Sequence, residues 1–123
     1  MSKILIQDFN RIYKDSNCNK LFKNKTVLIT GASGFIGSYL TNYFIYKFNN
    51  LKLKKIILLD LNLKNLNKNI YFNYDKKKVI LKRFDINNMN ISNLKQKIDI
   101  ILHAASIASP SYYRKFPLET ALS

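Results

Sequence analysis

The sequence is short of several features that mark particular classes of protein. It has one cysteine, Cys18, so no internal disulfide can form, and this use of cysteine fits the cytoplasm. No apolar run approaches the roughly 18 residues of a membrane-spanning helix, and the first residues lack a signal-peptide pattern. We therefore expect a cytoplasmic protein without membrane contact, in which Cys18 is a solvated thiol.

Acidic residues are scarce, with 7 against 21 basic residues and a net charge of +14. Such a charge is typical of nucleic-acid-binding proteins. However, only Arg11, Arg83 and Arg114 are arginines, the side chain best suited to bidentate contacts with phosphates and bases. The lysines look scattered and accompany many asparagines and isoleucines, which indicates the codon bias of an AT-rich genome. We expect no nucleic-acid partner, although the positive field can attract an anionic substrate.

Glycine and proline are rare, with three and two copies. The chain therefore has few flexible linkers, and its 47% hydrophobic residues indicate a folded domain of ordinary size. All three glycines lie in one segment, "VLITGASGFIGSYL", at residues 27–40. Such clustering predicts a special backbone requirement at this place.

Four apolar runs, at 26–30, 55–60, 79–84 and 98–104, predict β-strands. Three of them are almost continuously hydrophobic, which is typical of strands buried on both faces of a parallel sheet. The sequence predicts an α/β, Rossmann-type doubly wound parallel sheet that is incomplete. We expect about four strands in the order 3-2-1-4, with a ligand at the switch point beside the first strand.

Helices are predicted before and between these strands. Apolar residues recur every four positions at Ile36, Leu40, Phe44 and Phe48, which predicts an amphipathic helix of about three to four turns. Residues 3–14 have helical spacing too and predict a short leading helix. The other two connections are long enough for crossovers but weaker as helices.

The glycines suit a turn that holds phosphates. Gly31 would allow a tight turn out of the first strand. Gly34 would let the backbone approach a pyrophosphate, and Gly37 would let the helix pass close to the strand. The phosphates would then meet amide groups at the helix N-terminus. The G-x-x-G-x-x-G spacing differs from G-x-G-x-x-G and is a weak signal when it stands alone.

Polar and small residues at the strand ends strengthen this prediction. Asp60 ends the second strand 23 residues beyond Gly37. There it can accept hydrogen bonds from a ribose diol and repel a 2′-phosphate, which favours NAD over NADP. Asp85 is a candidate acceptor for the adenine amino group, and a turn-forming role is the alternative for both carboxylates. Ala104 and Ala105 would let a dinucleotide lie across the fourth strand. We expect His103 to be a packed strand-end residue rather than a general base.

Together these segments resemble a known family. "TVLITGASGFIG", the aspartate after strand 2, "FDI" after strand 3 and "ILHAAS" after strand 4 resemble the extended short-chain dehydrogenase/reductases, the NAD-dependent epimerase/dehydratases of nucleotide sugars. "HAASIASPSYYRKFPLET", residues 103–120, is most similar to UDP-glucuronate decarboxylases. The resemblance covers residues 25–123. Residues 1–24 would be a leading helix and connector before the N-terminal half of an NAD-binding domain.

The resemblance implies a cofactor site, a substrate class and an oligomeric state. The cofactor would be NAD, oxidising a nucleotide sugar at C4 before decarboxylation, dehydration or epimerisation, and we expect a homodimer for the full-length protein. The loop at residues 109–113 would face the sugar. The implied NAD-binding residues are Gly31, Ser33, Gly34, Phe35, Ile36, Gly37, Asp60, Asp85, Ile86, Ala104, Ala105 and Ser106.

The sequence departs from the family where the chemistry belongs. In such enzymes a Ser/Thr and a Tyr-x-x-x-Lys pair follow the fifth strand, and this sequence ends before that strand. Two Tyr-x-x-x-Lys spacings do occur, Tyr43/Lys47 and Tyr74/Lys78, but about one is expected by chance, and both lie in segments away from the expected nicotinamide end. We therefore assign no catalytic residue and no metal site, and expect a fragment that is inactive alone.

Two other functions stay open, a stand-alone nucleotide-binding module without turnover and a basic nucleic-acid-binding protein. The module should end in a capped helix, whereas "PLETALS" ends without a glycine or basic cap. The nucleic-acid binder should carry aromatic residues on an exposed basic face. As a fragment, the chain should be marginally stable and prone to self-association, because its fourth strand would be an unpaired edge.

Overall fold

A computed structural model of the chain describes residues 3–85, 87 and 90–105. Its centre is a parallel sheet of four strands in the order β3-β2-β1-β4, which confirms the predicted order. The strands are β1 (Thr26–Thr30), β2 (Lys55–Asp60), β3 (Val79–Arg83) and β4 (Ile100–His103). β3 and β4 are shorter than the apolar runs that predicted them, by one residue and by three.

Four α-helices occur in the described residues. They are α1 (Lys3–Asp15), α2 (Phe35–Tyr46), α3 (Phe48–Leu51) and α4 (Leu63–Lys68). Two 3-10 turns, Asn19–Phe22 and Ile91–Leu94, precede β1 and β4. The leading helix and the helix after the glycines are thus confirmed, while the described part of the β3–β4 connection contains only a 3-10 turn.

The two faces of the sheet belong to two clusters of buried side chains. Val27 and Ile29 of β1 face the larger cluster, which includes residues from α1, α2, α3 and α4. Leu28 faces the other way and packs in a smaller cluster with Phe84 and Leu94. This alternation follows from the two-residue period of a strand, and it explains why the runs are apolar throughout.

Helix α2 is buried differently from the predicted amphipathic pattern. Ile36 is 64% exposed, whereas residues 41–45 are buried without interruption. The cause is α1, which covers the outer side of α2 with the fully buried Phe9. The Phe9 ring makes edge contacts with Tyr39 and Tyr43, at ring-centroid distances of 5.1 and 5.5 Å. The helix is therefore packed on two sides, and the four-residue repeat marks only part of its buried surface.

A buried amide connects α2 to the segment before β3. Asn42 donates from Nδ2 to the carbonyl oxygens of Ser38 and Asn69, both at 2.8 Å. Its Oδ1 accepts from the amide of Tyr71 at 2.8 Å. These bonds fully satisfy a polar side chain that lies inside the protein, and they fix the α4–β3 connection against α2.

Within the described ranges, no helix is both long enough and apolar enough to cross a lipid bilayer.

Candidate functional site

The turn between β1 and α2 requires glycine at residue 31. Gly31 has φ +63°, the left-handed region that side chains rarely adopt. A β-carbon here would also lie 2.6 Å from both the nitrogen and the α-carbon of Ala105. The backbone after β4 thus passes directly over the turn after β1.

The other two glycines differ in how much space the surrounding backbone leaves for a side chain. A β-carbon at Gly37 would lie 1.8 Å from the carbonyl oxygen of Gly31, so helix packing alone excludes a side chain there. At Gly34 the nearest atom, the same oxygen, would be 3.4 Å away, and φ is an ordinary −70°. Nothing inside the described chain requires glycine at residue 34, whose surface is exposed.

Helix α2 begins without a capping side chain. Gly34 occupies the N-cap, and no side chain bonds to the helix start. The first amide groups of a helix have no acceptor within the helix, and the helix dipole favours an anion beside them. Phe35 is 95% exposed and Ile36 64%, so the predicted residues of this first turn are accessible.

Asp60 lies against this glycine turn, although 27 residues separate it from Ser33. Its Oδ2 accepts from the amide of Ser33 at 2.9 Å and from the Ser33 hydroxyl at 2.7 Å. Its Oδ1 accepts from the amide of Asn62 at 3.0 Å. A carboxylate has about four acceptor positions, so capacity for another donor remains. Both the expected position beside the turn and the alternative turn-forming role are observed.

Two asparagines that the sequence analysis missed complete the contacts of Ser33. Asn65 donates from Nδ2 to Ser33 Oγ at 3.2 Å, and Asn69 donates to the Ser33 carbonyl oxygen at 3.3 Å. They are four residues apart and therefore share one side of α4 and its C-cap. That spacing was the available signal, but the many asparagines of this chain concealed it.

Thr30 connects the end of β1 to the end of β4, and the sequence analysis did not single it out either. Its Oγ1 accepts from the amides of Ala104 at 3.1 Å and Ala105 at 3.3 Å, and lies 2.7 Å from His103 Nδ1. The sequence predicts a packed histidine, but the structure places His103 as an exposed residue.

The remaining predicted residues are placed only in part. Asp85 follows Phe84 and accepts from the amide of Asn87 at 3.0 Å, the geometry of a turn-forming aspartate. Its position after β3 puts it at the same edge of the sheet as Asp60, because the strands are parallel. Ile86, Ser106, the 109–113 loop and the C-terminal "PLETALS" lie outside the described residues.

Neither Tyr-x-x-x-Lys pair lies at the glycine turn. Burial, and then the neighbouring Cys18 and Tyr13, raise the pKa of Tyr43, the opposite of what a proton-accepting tyrosine needs. Lys47 is only 8% exposed; its Nζ donates to Asn10 Oδ1 and lies 5.0 Å from the centroid of the Tyr13 ring.

The second pair is at the opposite edge of the sheet. Lys78 immediately precedes β3, and Tyr74 lies in the same connection four residues earlier, so this pair is at the amino ends of the strands rather than at the glycine turn.

A parallel sheet in the order 3-2-1-4, with a glycine turn from the first strand into a helix, defines the class of Rossmann-like α/β proteins. Residues 27–123 match the NAD dependent epimerase/dehydratase family, and the chain belongs to this family.

Several known proteins are similar to the chain. It is 36% identical to a dTDP-D-glucose 4,6-dehydratase of Dictyostelium discoideum, over 74% of this chain and 21% of that protein. It is 34% identical to the bifunctional polymyxin resistance protein ArnA of Wigglesworthia glossinidia brevipalpis, over 81% of this chain and 14% of that one. The chain thus spans well under a third of the length of these two relatives.

Among solved structures, the epimerase Mth375 of Methanothermobacter thermautotrophicus has the same fold. Its TM-score is 0.61 at 20% identity, covering 98% of this chain and 31% of that one.

Proposed function

We propose that this chain is the NAD-binding part of a nucleotide-sugar epimerase, dehydratase or decarboxylase. The observation that carries the proposal is the contact of Asp60 with Ser33, which sets a carboxylate beside a glycine turn and an uncapped helix start. Family membership supports the same cofactor. The name of the Dictyostelium relative supports a nucleotide-sugar substrate.

Each group would have a separate task. The amides at the start of α2 would bind the pyrophosphate, and Gly34 would keep the backbone open for its approach. Asp60 would accept from the adenosine ribose, while Ala104 and Ala105, whose amides Thr30 holds, would support the dinucleotide near β4. The proposed set is Gly31, Ser33, Gly34, Phe35, Ile36, Gly37, Asp60, Asp85, Ile86, Ala104, Ala105 and Ser106.

The residues present fit this cofactor. No contact inside the described chain excludes a side chain at residue 34, whereas the close approach of a phosphate would exclude one. When bound, NAD supplies a hydride acceptor for oxidation of the sugar. The residues of this chain bind and orient the cofactor, and we assign none of them to proton transfer.

The finer assignments rest on the resemblance of residues 103–120 to UDP-glucuronate decarboxylases. We propose decarboxylase-like chemistry for the full-length protein, which would act as a homodimer. We also propose that residues 1–24 are a leading segment and residues 25–123 the NAD-binding part, which by itself is inactive.

Calorimetric titration of the chain with NAD tests the proposal. We expect one NAD site, with NADP binding more weakly because Asp60 repels its 2′-phosphate. Asp60→Asn should weaken NAD binding about tenfold, through loss of a charged hydrogen-bond acceptor. Asp75→Asn is the matched control, because Asp75 accepts from the amide two residues on, at Lys77, just as Asp60 does at Asn62.

Asp75 precedes β3, at the opposite edge of the sheet, so its substitution should leave NAD binding unchanged. Absence of any heat with NAD from the folded chain would refute the proposal. An equal loss of affinity in both variants would refute the role of Asp60.

A further inference from the structure

A short lysine-rich segment lies at the amino end of every strand of the sheet, and that of β2 includes the first residue of the strand, Lys55. These segments are "KNK" at 23–25, "KLKK" at 52–55, "KKK" at 76–78 and "KQK" at 95–97. In the sequence they lie far apart and look scattered. In the fold, parallel strands bring their amino ends to one edge, so the four segments form a single row, here called the lysine edge.

Backbone hydrogen bonds hold neighbouring segments of the lysine edge together. The amide of Lys54 donates to the Lys25 carbonyl oxygen at 2.9 Å, and the amide of Asn24 donates to the Lys52 carbonyl oxygen at 2.7 Å. Adjacent strands are about 4.8 Å apart, so the row spans roughly 15 Å. Apart from the partly buried Lys55, all its lysine side chains are exposed.

Few acidic groups oppose this charge. Asp75 and Asp99 adjoin the lysine edge, and each already accepts a backbone amide, from Lys77 at 2.8 Å and from Thr26 at 2.9 Å. Toward the carboxyl ends of the strands there are fewer described basic residues, Lys82 and Arg83 at the end of β3 and Lys64 in the first turn of α4, and Asp60 and Asp85 lie there too. The positive charge is therefore concentrated at one end of the sheet, which a uniform codon bias does not explain.

A cavity opens beside the lysine edge. It has a volume of about 210 Å³ and lies between α3 and the segment before β3. Its walls are partly apolar and partly polar: Ile45, Phe48, Tyr74 and Val79, together with Asn49, Asn73, Asp75 and Lys78. Nζ of Lys78 lies 5.8 Å from the centroid of the Phe48 ring. A cavity whose walls include the Phe48 ring, beside a row of cations, has room for one side chain of an anionic segment.

We propose that the lysine edge binds an acidic segment of a partner protein, with one apolar side chain of that segment in the cavity. Nucleic acid fits less well, because the lysine edge contains no arginine. No fully exposed aromatic ring lies there either. In the described residues the exposed rings are Phe35, Tyr39 and Tyr71, on the first half of α2 or beside Asn42, whereas Phe48 and Tyr74 at the cavity are only partly exposed.

This surface is separate from the glycine turn, which lies at the carboxyl ends of the strands. A partner on the lysine edge would leave the glycine turn open. The inference therefore stands or fails independently of the proposed function.

Fluorescence anisotropy with the full chain tests the inference. The probe is a fluorescein-labelled peptide of glutamates around one phenylalanine. Substituting the exposed residues Lys54, Lys76 and Lys77 together by glutamine should weaken binding about tenfold, through loss of three exposed ion pairs. The control is Lys14→Gln with Lys64→Gln and Lys68→Gln, which removes the same charge from the exposed surfaces of α1 and α4 and should change affinity less than about twofold.

Three further results decide the matter. Equal losses in the two triple variants would overturn the inference, because net charge alone would then explain binding. Equal affinity for a peptide with serine in place of phenylalanine would overturn the role of the cavity. Tighter binding of an oligouridylate, or of phosphatidylserine vesicles, with the same dependence on Lys54, Lys76 and Lys77 would overturn the assignment to an acidic protein. Thermal melting by circular dichroism verifies that both triple variants fold.

Discussion

The carbonyl oxygen of Gly31 occupies the space that a β-carbon of residue 37 would need, at a separation of 1.8 Å. The same oxygen would be 3.4 Å from a β-carbon at residue 34, an ordinary contact distance. The carbonyl oxygen of Gly31 therefore excludes a side chain at residue 37 but leaves room for one at residue 34. Gly37 is required by the fold, whereas no contact within the described chain excludes a side chain at residue 34.

Alanine at these two positions should affect stability to very different extents. Gly37→Ala should lower the free energy of unfolding by about 3 kcal/mol, because the clash is with backbone that cannot rotate away. Gly34→Ala should change it by less than about 0.5 kcal/mol, since a weaker N-cap and a less flexible unfolded chain offset each other. Urea unfolding followed by circular dichroism measures both.

In the Gly34→Ala variant we expect NAD affinity to fall about tenfold while the fold persists, because the new methyl group would obstruct the phosphates. Calorimetry on the folded variant measures this. Unchanged affinity would remove Gly34 from the proposed site, and equal destabilisation by the two substitutions would contradict the distinction between them.

Replacement of Lys52 by glycine should stabilise the fold. Lys52 ends α3 with φ 56° and ψ 40°, a left-handed conformation that costs a side-chain-bearing residue about 1–2 kcal/mol. Lys52→Gly should therefore raise the free energy of unfolding by about 0.5–1 kcal/mol, once the greater freedom of glycine in the unfolded chain is deducted. Chemical denaturation compares it with the parent chain.

Lys54→Gly provides the contrast two residues away. Lys54 is not among the described residues with positive φ, so glycine there brings no conformational relief and should be destabilising. The same sign of effect in both variants would show that the left-handed geometry of Lys52 does not limit stability.

Asp99 should make the stability of the fold depend on pH in the acidic range. The hydrogen bond from the Thr26 amide is the largest cause that lowers the pKa of Asp99 below its ordinary 3.8. Desolvation opposes it, and the nearby Lys97, Lys25 and Lys54 each lower the pKa by a smaller amount. A lowered folded-state pKa means that the carboxylate stabilises the fold above pH 3.8 and that this contribution is lost as the pH falls through the folded value. Thermal melting between neutral pH and pH 3 should show the decline.

Asp99→Asn should flatten that part of the profile, since its amide oxygen can still accept from Thr26 but does not titrate. Because the hydrogen bond is the largest cause, high salt should reduce the decline only in part. An unchanged profile in the variant would show that other groups govern the acid response.

The sheet could be predicted because each strand can be recognised from its own short segment of sequence. Each buried strand is an apolar run, and the rule for parallel crossovers then restricts the order of four strands to few alternatives. The position of Asp60 near the glycine turn followed as well, because the carboxyl ends of neighbouring parallel strands meet at one edge.

The side-chain contacts could not be predicted, because they depend on partners far away in the sequence. Thr30 reads as one more β-branched residue of a strand, yet it holds two amides that come 74 and 75 residues later. Asn65 and Asn69 look like two more residues of a compositional bias. The lysine segments look scattered until the sheet is assembled, and the cover that α1 provides for α2 depends on where Phe9 docks.

Asn42 limits which sequences this fold accepts at one position. Its amide group donates two hydrogen bonds and accepts one, and only one methylene joins that amide group to the backbone. Aspartate has no donor, leucine has neither donor nor acceptor, and glutamine places its amide one carbon too far out. Relatives that keep the same path between the second strand and the third should therefore have asparagine here, while the exposed asparagines around it vary.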